Sequence, residues 1–451
     1  MTKDPAREAA LELLRVVRVD DAYANLALPN ILRDRRLSGR DAGFVQELAY
    51  GALRWQGLYD AILAQCISRD WADVDPMTKD ILRLGAHQLM AMRVPTHAAV
   101  DSTCNLARGA GSPGGAKARA GFVNAVLRKV NERTFDEWIE FLHVGGDSEQ
   151  QLAIRWSHPG WIVRALAQAL GEKRSELGAL LEADNIPARP SLVARPGRMT
   201  PRELLELPGV EPGRWSPLAG TLVDGIPESL EEIRTGSVGV QDEGSQLVTL
   251  ALSRVPVSSH TGRWLDMCAG PGGKAAVLDG LAMEQGATLV AVEQHPHRAQ
   301  LVRNTLGHDS TAEIMTGDAS HHQWSGEFDR VLVDVPCTGL GALRRRPESR
   351  WRRKLSDVAG LAPIQRALLH AAVEAVAPGG VIAYVTCSPH FAETELVVQD
   401  ICKAHPELII LDAPALLPEV TDASRGKFLQ LWPHRHGTDA MFLALLQRPA
   451  S

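Results

Sequence analysis

The sequence predicts an α/β protein, with a mostly parallel sheet in its last half, an all-α region in front and a small α/β link between them. Three observations carry this reading. From about residue 237 onward, short β-branched runs alternate with helical patterns, the signature of a parallel sheet covered by helices on both faces. Ala269-Gly-Pro-Gly-Gly-Lys274 is a glycine-rich turn between the first of these runs and a helix. From Pro5 to about Val130 apolar residues recur at helical spacing instead.

The 451 residues, 45% hydrophobic and 23% charged, suit two or three soluble globular domains. The charged start runs into an amphipathic helix rather than a signal sequence, and no apolar run approaches bilayer length, so a cytoplasmic location without a membrane partner is expected. Six cysteines with no CxxC pair argue for a reducing compartment and against a zinc site. His321, His322, His434 and His436 read as surface residues, leaving no metal. A net charge of −6 does not advertise nucleic-acid binding, but charge is unevenly spread.

In the front region, 1–134, Ala9, Leu13, Val16 and Val17 share one helix face, and Phe44, Leu48, Leu53 and Leu58 continue the pattern. Asp80 to Met90 reads as a central buried helix, Ser112-Pro-Gly-Gly as a loop, and Arg119 to Val130 as a basic helix. Six Lys/Arg stand between Asn105 and Arg133 against one acid, Glu132. Charge alone leaves a solvated face and a nucleic-acid surface equally open. The link, 135–236, offers a helix from Pro159-Gly-Trp161 to Leu170, another to Asn185, a strand near Ser191 to Arg195, and seven prolines from Pro187 to Pro217, which together predict a small α/β subdomain with loops.

The last domain, 237–451, opens on a helix capped near Asp242. Trp264 to Cys268 is its first strand, Ala275 to Leu281 the helix after the glycine-rich turn, and Leu289 to Glu293 the second strand. Gly273 and Glu293 are 20 residues apart, the spacing of a carboxylate that binds a ribose hydroxyl; spacing does not choose between a dinucleotide and S-adenosylmethionine. Val331 to Val335 is a buried strand running into Pro336-Cys337-Thr338-Gly339. After the breaker Pro378-Gly379-Gly380, the strand Val381 to Thr386 delivers Cys387. Two thiols and the Asp334 carboxylate are thus expected at one carboxyl rim, where ligands bind in such sheets. Leu343 to Lys354 holds seven Lys/Arg against Glu348 and reads as a phosphate-tracking rim with Trp351 available for stacking.

Ala120-Gly-Phe-Val-Asn-Ala-Val-Leu-Arg-Lys129 and Phe44 to Trp55 make the front region similar to the RNA-binding domain of NusB-type antitermination factors. In the last domain, D-M-C-A-G-P-G-G-K (266–274), V-E-Q (292–294), G-D-A (317–319), D-V-P-C-T-G-L-G (334–341), T-C-S (386–388) and a closing L-W-P-H-R-H-G-T-D (431–439) occur in order. Together they resemble the RsmB/Sun/Fmu family of small-subunit ribosomal RNA cytosine-C5 methyltransferases, which also carry a NusB-like domain in front. The resemblance implies a Rossmann-like class I methyltransferase fold with S-adenosylmethionine as cofactor and ribosomal RNA as partner, acting as a monomer to place 5-methylcytosine in 16S RNA. Cys268, Ala269, Gly270, Pro271, Gly272, Gly273 and Lys274 would surround the methionine part, Glu293 the ribose and Asp318 the adenine. Asp334 would lie between cofactor and base, Cys387 would be the nucleophile, and Cys337 would resolve the adduct.

Four positions depart from the family pattern. Gly270 stands where alanine is usual, as does Val335, Thr394 replaces an asparagine, and Ala440 follows Asp439 where glycine is common. None removes a reactive group. Two rivals stay open at this point: a cytosine methyltransferase acting on transfer RNA or another RNA, and a non-catalytic RNA-binding assembly factor. The intact Cys337, Cys387, Asp334 and Lys274 count against the second.

Overall fold

The computed structural model describes residues 4–111 and 115–450; the loop expected at Ser112 to Gly114 and the first three residues lie outside them. The chain forms two compact units, residues 1–185 with 345–352, and residues 186–344 with 353–451. We retain 1–134, 135–236 and 237–451 as a proposal about sequence modules.

The first unit is helical. Pro5–Val19, Gly39–Arg54, Pro76–Met90 and Ala116–Val130 are its principal helices, and their apolar stripes meet in a core containing Leu13, Leu48, Tyr59, Ile62, Leu82 and Leu127. Pro76–Met90 begins as its sequence dictates, with Asp75 accepting from Thr78 N at 3.0 Å and proline at the first helical position. Of the six basic residues counted between Asn105 and Arg133, two are absorbed by the fold. Arg119 donates to Ala107 O and Ala110 O, and Arg133 lies over the rings of Trp138 and Phe141. Arg108, Lys117, Arg128 and Lys129 remain exposed.

The basic run near Leu343 to Lys354 is less exposed than a phosphate-tracking rim would be: Arg345, Arg346 and Lys354 are exposed, but Arg350 is buried. Arg345 to Arg352 belong to the helical unit, and Glu348, Ser349 and Arg350 are buried. Arg350 is fully buried and donates to Arg54 O (3.0 Å), Ser157 O (3.3 Å), Asn185 Oδ1 (2.7 Å) and Asp184 O (2.7 Å). Glu348 accepts from Ala24 N at 3.1 Å, Arg352 bonds Ala22 O at 2.6 Å and Asp21 at 2.5 Å, and Arg346 lies over Tyr23. Trp351 packs so close to Gly57 that a Cβ there would stand 2.5 Å from its ring. Arg350 and Arg352 thus donate to carbonyls, several of them at helix ends that leave such groups without partners. Arg350→Ala should therefore cost about 3 kcal/mol of stability, because several buried acceptors lose their donor together. Urea unfolding of the full chain checks this; an unchanged midpoint would mean that the guanidinium is not buried in solution.

The second unit contains two sheets. A small antiparallel one has the order Val210–Pro212, Ala219–Leu222, Ser191–Ala194, Val238–Val240; three of its strands fall in the expected link, whose helices up to Asn185 belong instead to the first unit. In the larger sheet, Glu313–Thr316, Thr288–Glu293, Arg263–Asp266, Phe328–Asp334 and Val376–Thr386 run parallel in that order. Phe442–Gln447 then adds antiparallel to Val376–Thr386. Helices cover both faces: Val248, Leu252, Leu278 and Leu281 pack on one, and Leu369, Val373, Val398 and Ile401 on the other. This is the Rossmann-like arrangement expected of the last domain.

One strand starts earlier than the breaker suggested. Val376–Thr386 includes Pro378-Gly379-Gly380, because the pairing slips there from Phe328↔Val376 to Arg330↔Val381. Gly379, at φ +82°, absorbs the irregularity, so glycine marks a bulge within the strand rather than its beginning.

Candidate active site

Two neighbouring strands end at the site. Phe328–Asp334 and Val376–Thr386 pair in register up to Asp334↔Val385, so whatever follows each emerges at the same rim. The Cys337 loop is then fastened to the end of its neighbour, with Val335 N donating to Val385 O at 3.1 Å and Gly341 N to Cys387 O at 2.9 Å. Gly341 permits this approach, since a Cβ would stand 2.4 Å from Ala440 O and 2.9 Å from Cys387 O. The Cys337 and Cys387 sulfurs come to 3.3 Å, and both side chains stay partly accessible.

The thiols are unequal. The hydrogen bond from Cys337 holds Cys387 below the ordinary thiol value; burial and the Asp334 and Asp439 carboxylates oppose it, and the Lys274 ammonium assists. Cys337 is driven well above that value by the same bond, by burial, and by the charges of Cys387, Glu393 and Asp334. The thiolate is the nucleophilic form, so a bond in which Cys337 donates would leave Cys387 the readier of the two to react. Cys268, which also faces the site, is pushed well up, chiefly by burial and then by Asp266, Asp334 and Glu293.

Lys274 Nζ donates to Asp334 Oδ2 at 2.9 Å. Burial pulls the ammonium down, but Asp334 outweighs it and leaves Lys274 raised. Lys274 comes from the first turn of the helix Gly273–Glu284, and Asp334 ends its strand. A fixed cation and anion thus flank the thiol pair.

The glycine-rich turn leads into that helix through Gly272, whose φ of +116° suits glycine. Glu293 is buried at the end of its strand and accepts from His295 N at 2.9 Å. A Cβ on Gly270 would stand 2.0 Å from Glu293 Oε2, so the departure from alanine leaves room for this carboxylate. Asp318 accepts from Ser320 N at 2.9 Å and from Ser320 Oγ at 2.6 Å, which hold it below the usual carboxylate range together with His321. Its other oxygen faces only exposed side chains, His321 at 3.1 Å and Gln294 at 3.5 Å. Asp266, close enough to Asp334, Lys274 and Glu293 for their charges to act on it, is buried, with Oδ2 lacking a hydrogen-bond partner. Burial, then the neighbouring Asp334, pushes Asp266 up to about 7. An orphaned buried oxygen among further acceptors suits a ligand with an ammonium and a ribose, as S-adenosylmethionine has.

Each predicted site residue thus falls in the second unit, along the carboxyl ends of its parallel strands. Sequence reasoning missed Asp266 as more than a motif letter; its place as the last residue of the first strand, before a glycine-rich turn, was the available signal. His436 corrects the surface reading, because it is buried, with Nδ1 accepting from Trp432 N at 2.8 Å. Arg344 is also engaged within this unit, donating to Gly437 O at 2.6 Å. Among the described residues no cluster could hold a metal ion, and no helix is long and apolar enough to cross a membrane.

Comparison with known proteins agrees with both parts of the chain. Residues 255–447 match the family model described as 16S rRNA methyltransferase RsmB/F, and residues 4–132 match the NusB family. A protein of Mycobacterium tuberculosis named as a methyltransferase is 48% identical, with 99% of this chain and 97% of that protein covered. The ribosomal RNA small subunit methyltransferase B of Vibrio cholerae is 30% identical, with 98% and 96% covered. A crystal structure of a methyltransferase homolog from Pyrococcus horikoshii shares the fold at 22% identity, with a TM-score of 0.55 over 67% of this chain and 99% of that one. With the thiol-bearing sheet matching one model, the front helices the other, and relatives aligned from end to end, the chain belongs to the RsmB/F family of 16S ribosomal RNA methyltransferases.

Proposed function

We propose that this methyltransferase transfers a methyl group from S-adenosylmethionine to carbon 5 of a cytosine in small-subunit ribosomal RNA, through a covalent bond between Cys387 and carbon 6. The observation that carries the reading is the pair of thiols 3.3 Å apart on adjacent strand ends, beside the Lys274–Asp334 pair. Bound S-adenosylmethionine supplies an electrophilic methyl carbon on a sulfonium. Carbon 5 of cytosine is too weak a nucleophile to take it unaided. Addition of the Cys387 thiolate at carbon 6 turns the ring into an enamine whose carbon 5 can attack.

The other residues follow from their charges. Asp334 and Lys274 face the polar edge of the ring as charge builds there. Glu293, Asp318 and Asp266 provide acceptors for the cofactor, and the helix beginning at Gly273 offers its amino terminus to a carboxylate. After methyl transfer a base must remove the carbon 5 proton so that Cys387 can leave; Cys337, or a water beside it, is the candidate. The exposed Arg108, Lys117, Arg128 and Lys129 of the NusB-like region are candidates for phosphate contacts. The small-subunit relatives favour ribosomal over transfer RNA.

Bisulfite sequencing of RNA from a strain lacking this protein tests the substrate. One cytosine of the small-subunit RNA should lose its protection from conversion and regain it on complementation with the intact chain, but not with Cys387→Ala. Unchanged 16S protection with a lost site in transfer RNA would transfer the activity to the rival substrate.

A further inference from the structure

Glu393 has no part in the mechanism above, yet it is a fully buried carboxylate beside both thiol loops. It lies in the short turn Phe391–Glu393 that follows the Cys387 strand. Oε1 accepts from Thr338 N at 2.8 Å and from Gln365 Nε2 at 3.2 Å, and Oε2 accepts from Thr338 Oγ1 at 2.5 Å and from Ser388 Oγ at 2.7 Å. Thr338 directly follows Cys337, and Ser388 directly follows Cys387. Gln365 also donates to Pro336 O at 2.9 Å, on the other side of Cys337. Tyr384, within the strand, donates to the Glu393 carbonyl at 2.7 Å and so fixes the turn itself.

A buried charge with four donors is expected where a geometry must be held, because an ionised carboxylate fastens its donors more tightly than a neutral acceptor. The donors here come from the residues after both cysteines and from the helix Leu355–Ala375 behind them. We propose that Glu393 is a positioning residue, whose carboxylate clamps the Cys337 loop to the Cys387 strand end and so sets the distance between the two sulfurs. This rests on the reading of Cys387 as nucleophile and Cys337 as its partner. The clamp itself requires neither RNA nor cofactor.

The test is closure of a Cys337–Cys387 disulfide in the purified full chain, driven by diamide, which takes up the two electrons and two protons that the thiols release. Peptide mass spectrometry counts the linked pair against time. For Glu393→Ala we expect closure to slow by about tenfold and kcat to fall by at least as much, with KM for RNA and S-adenosylmethionine held within about twofold, because sulfur spacing is lost while the binding surfaces remain. Glu393→Gln, which keeps the length and one acceptor, should recover part of both losses. Thr338→Val keeps the amide donor, removes one hydroxyl bond, and should slow closure to a smaller extent even if Glu393→Ala does not accumulate. Wild-type closure and kcat in folded Glu393→Ala, or wild-type closure in Thr338→Val when the former does not fold, would overturn the proposal by leaving Glu393 a space-filling core group. Slowed closure without loss of kcat would keep the clamp but remove the functional reading of the thiol pair.

Discussion

Cys387→Ala is expected to abolish methylation, with a fall in kcat on the order of 10^4-fold or more, as when a covalent nucleophile is deleted. No RNA-linked protein should form either. Carbon 5 is activated only by addition at carbon 6, and the alternative thiols are poorly suited: Cys268 is driven well up by burial, and Cys337, even without its partner sulfur, keeps the burial and the Glu393 and Asp334 charges that also raise it. Cofactor affinity should hardly change, since the acceptors Asp266, Glu293 and Asp318 lie on other strands or loops. A pH profile adds a check. Because Cys387 is held below the ordinary thiol value, its thiolate fraction, and with it the rate of adduct formation, should rise with pH and reach its midpoint at a lower pH than an ordinary thiol would. Single-turnover methylation followed by RNA digestion and mass spectrometry measures both effects; residual turnover within tenfold of wild type would exclude Cys387 as nucleophile.

Cys337→Ala should fail at a later step. Addition and methyl transfer remain available, but removal of the carbon 5 proton slows, so protein linked to RNA should accumulate in the presence of S-adenosylmethionine and survive a denaturing gel. Steady-state turnover should drop on the order of 10^2 to 10^4-fold, the range of a positioned general base. The 3.3 Å contact adds a second consequence. Without the hydrogen bond that favours the Cys387 thiolate, the adduct should form more slowly at neutral pH and its pH profile should move upward. The double variant should lose the linked species. A trapped adduct in Cys387→Ala and none in Cys337→Ala would exchange the two roles.

The sheet and its site were readable because their signals are local. Val331 to Val335 and Val381 to Thr386 are short β-branched runs that each deliver a cysteine, and Asp266 to Lys274 is a turn whose glycines have geometric tasks. What escaped is set by packing between distant segments. Seven basic residues from Leu343 to Lys354 look alike in a charge count, yet Arg350 is sealed among Arg54, Ser157, Asp184 and Asn185, partners far away in sequence. His436 looked like a surface residue beside Arg435, but its ring caps the Trp432 amide in the interior. Glu393 stands beside the Thr394 departure, but nothing local predicts that Thr338, Gln365 and Ser388 converge on it. The bulge at Gly379 shows the same limit, because a glycine pair reads as an end when it marks a slip in register.

The central claim is that the covalent bond to RNA belongs to Cys387. The direct measurement is to incubate Cys337→Ala with 16S RNA and S-adenosylmethionine, digest the linked species with nuclease and protease, and sequence the nucleotide-bearing peptide by mass spectrometry. The predicted result is a 5-methylcytosine attached at the Cys387 sulfur. A linkage at any other residue, or no linked peptide from a variant shown to be folded and to bind its cofactor, would contradict it.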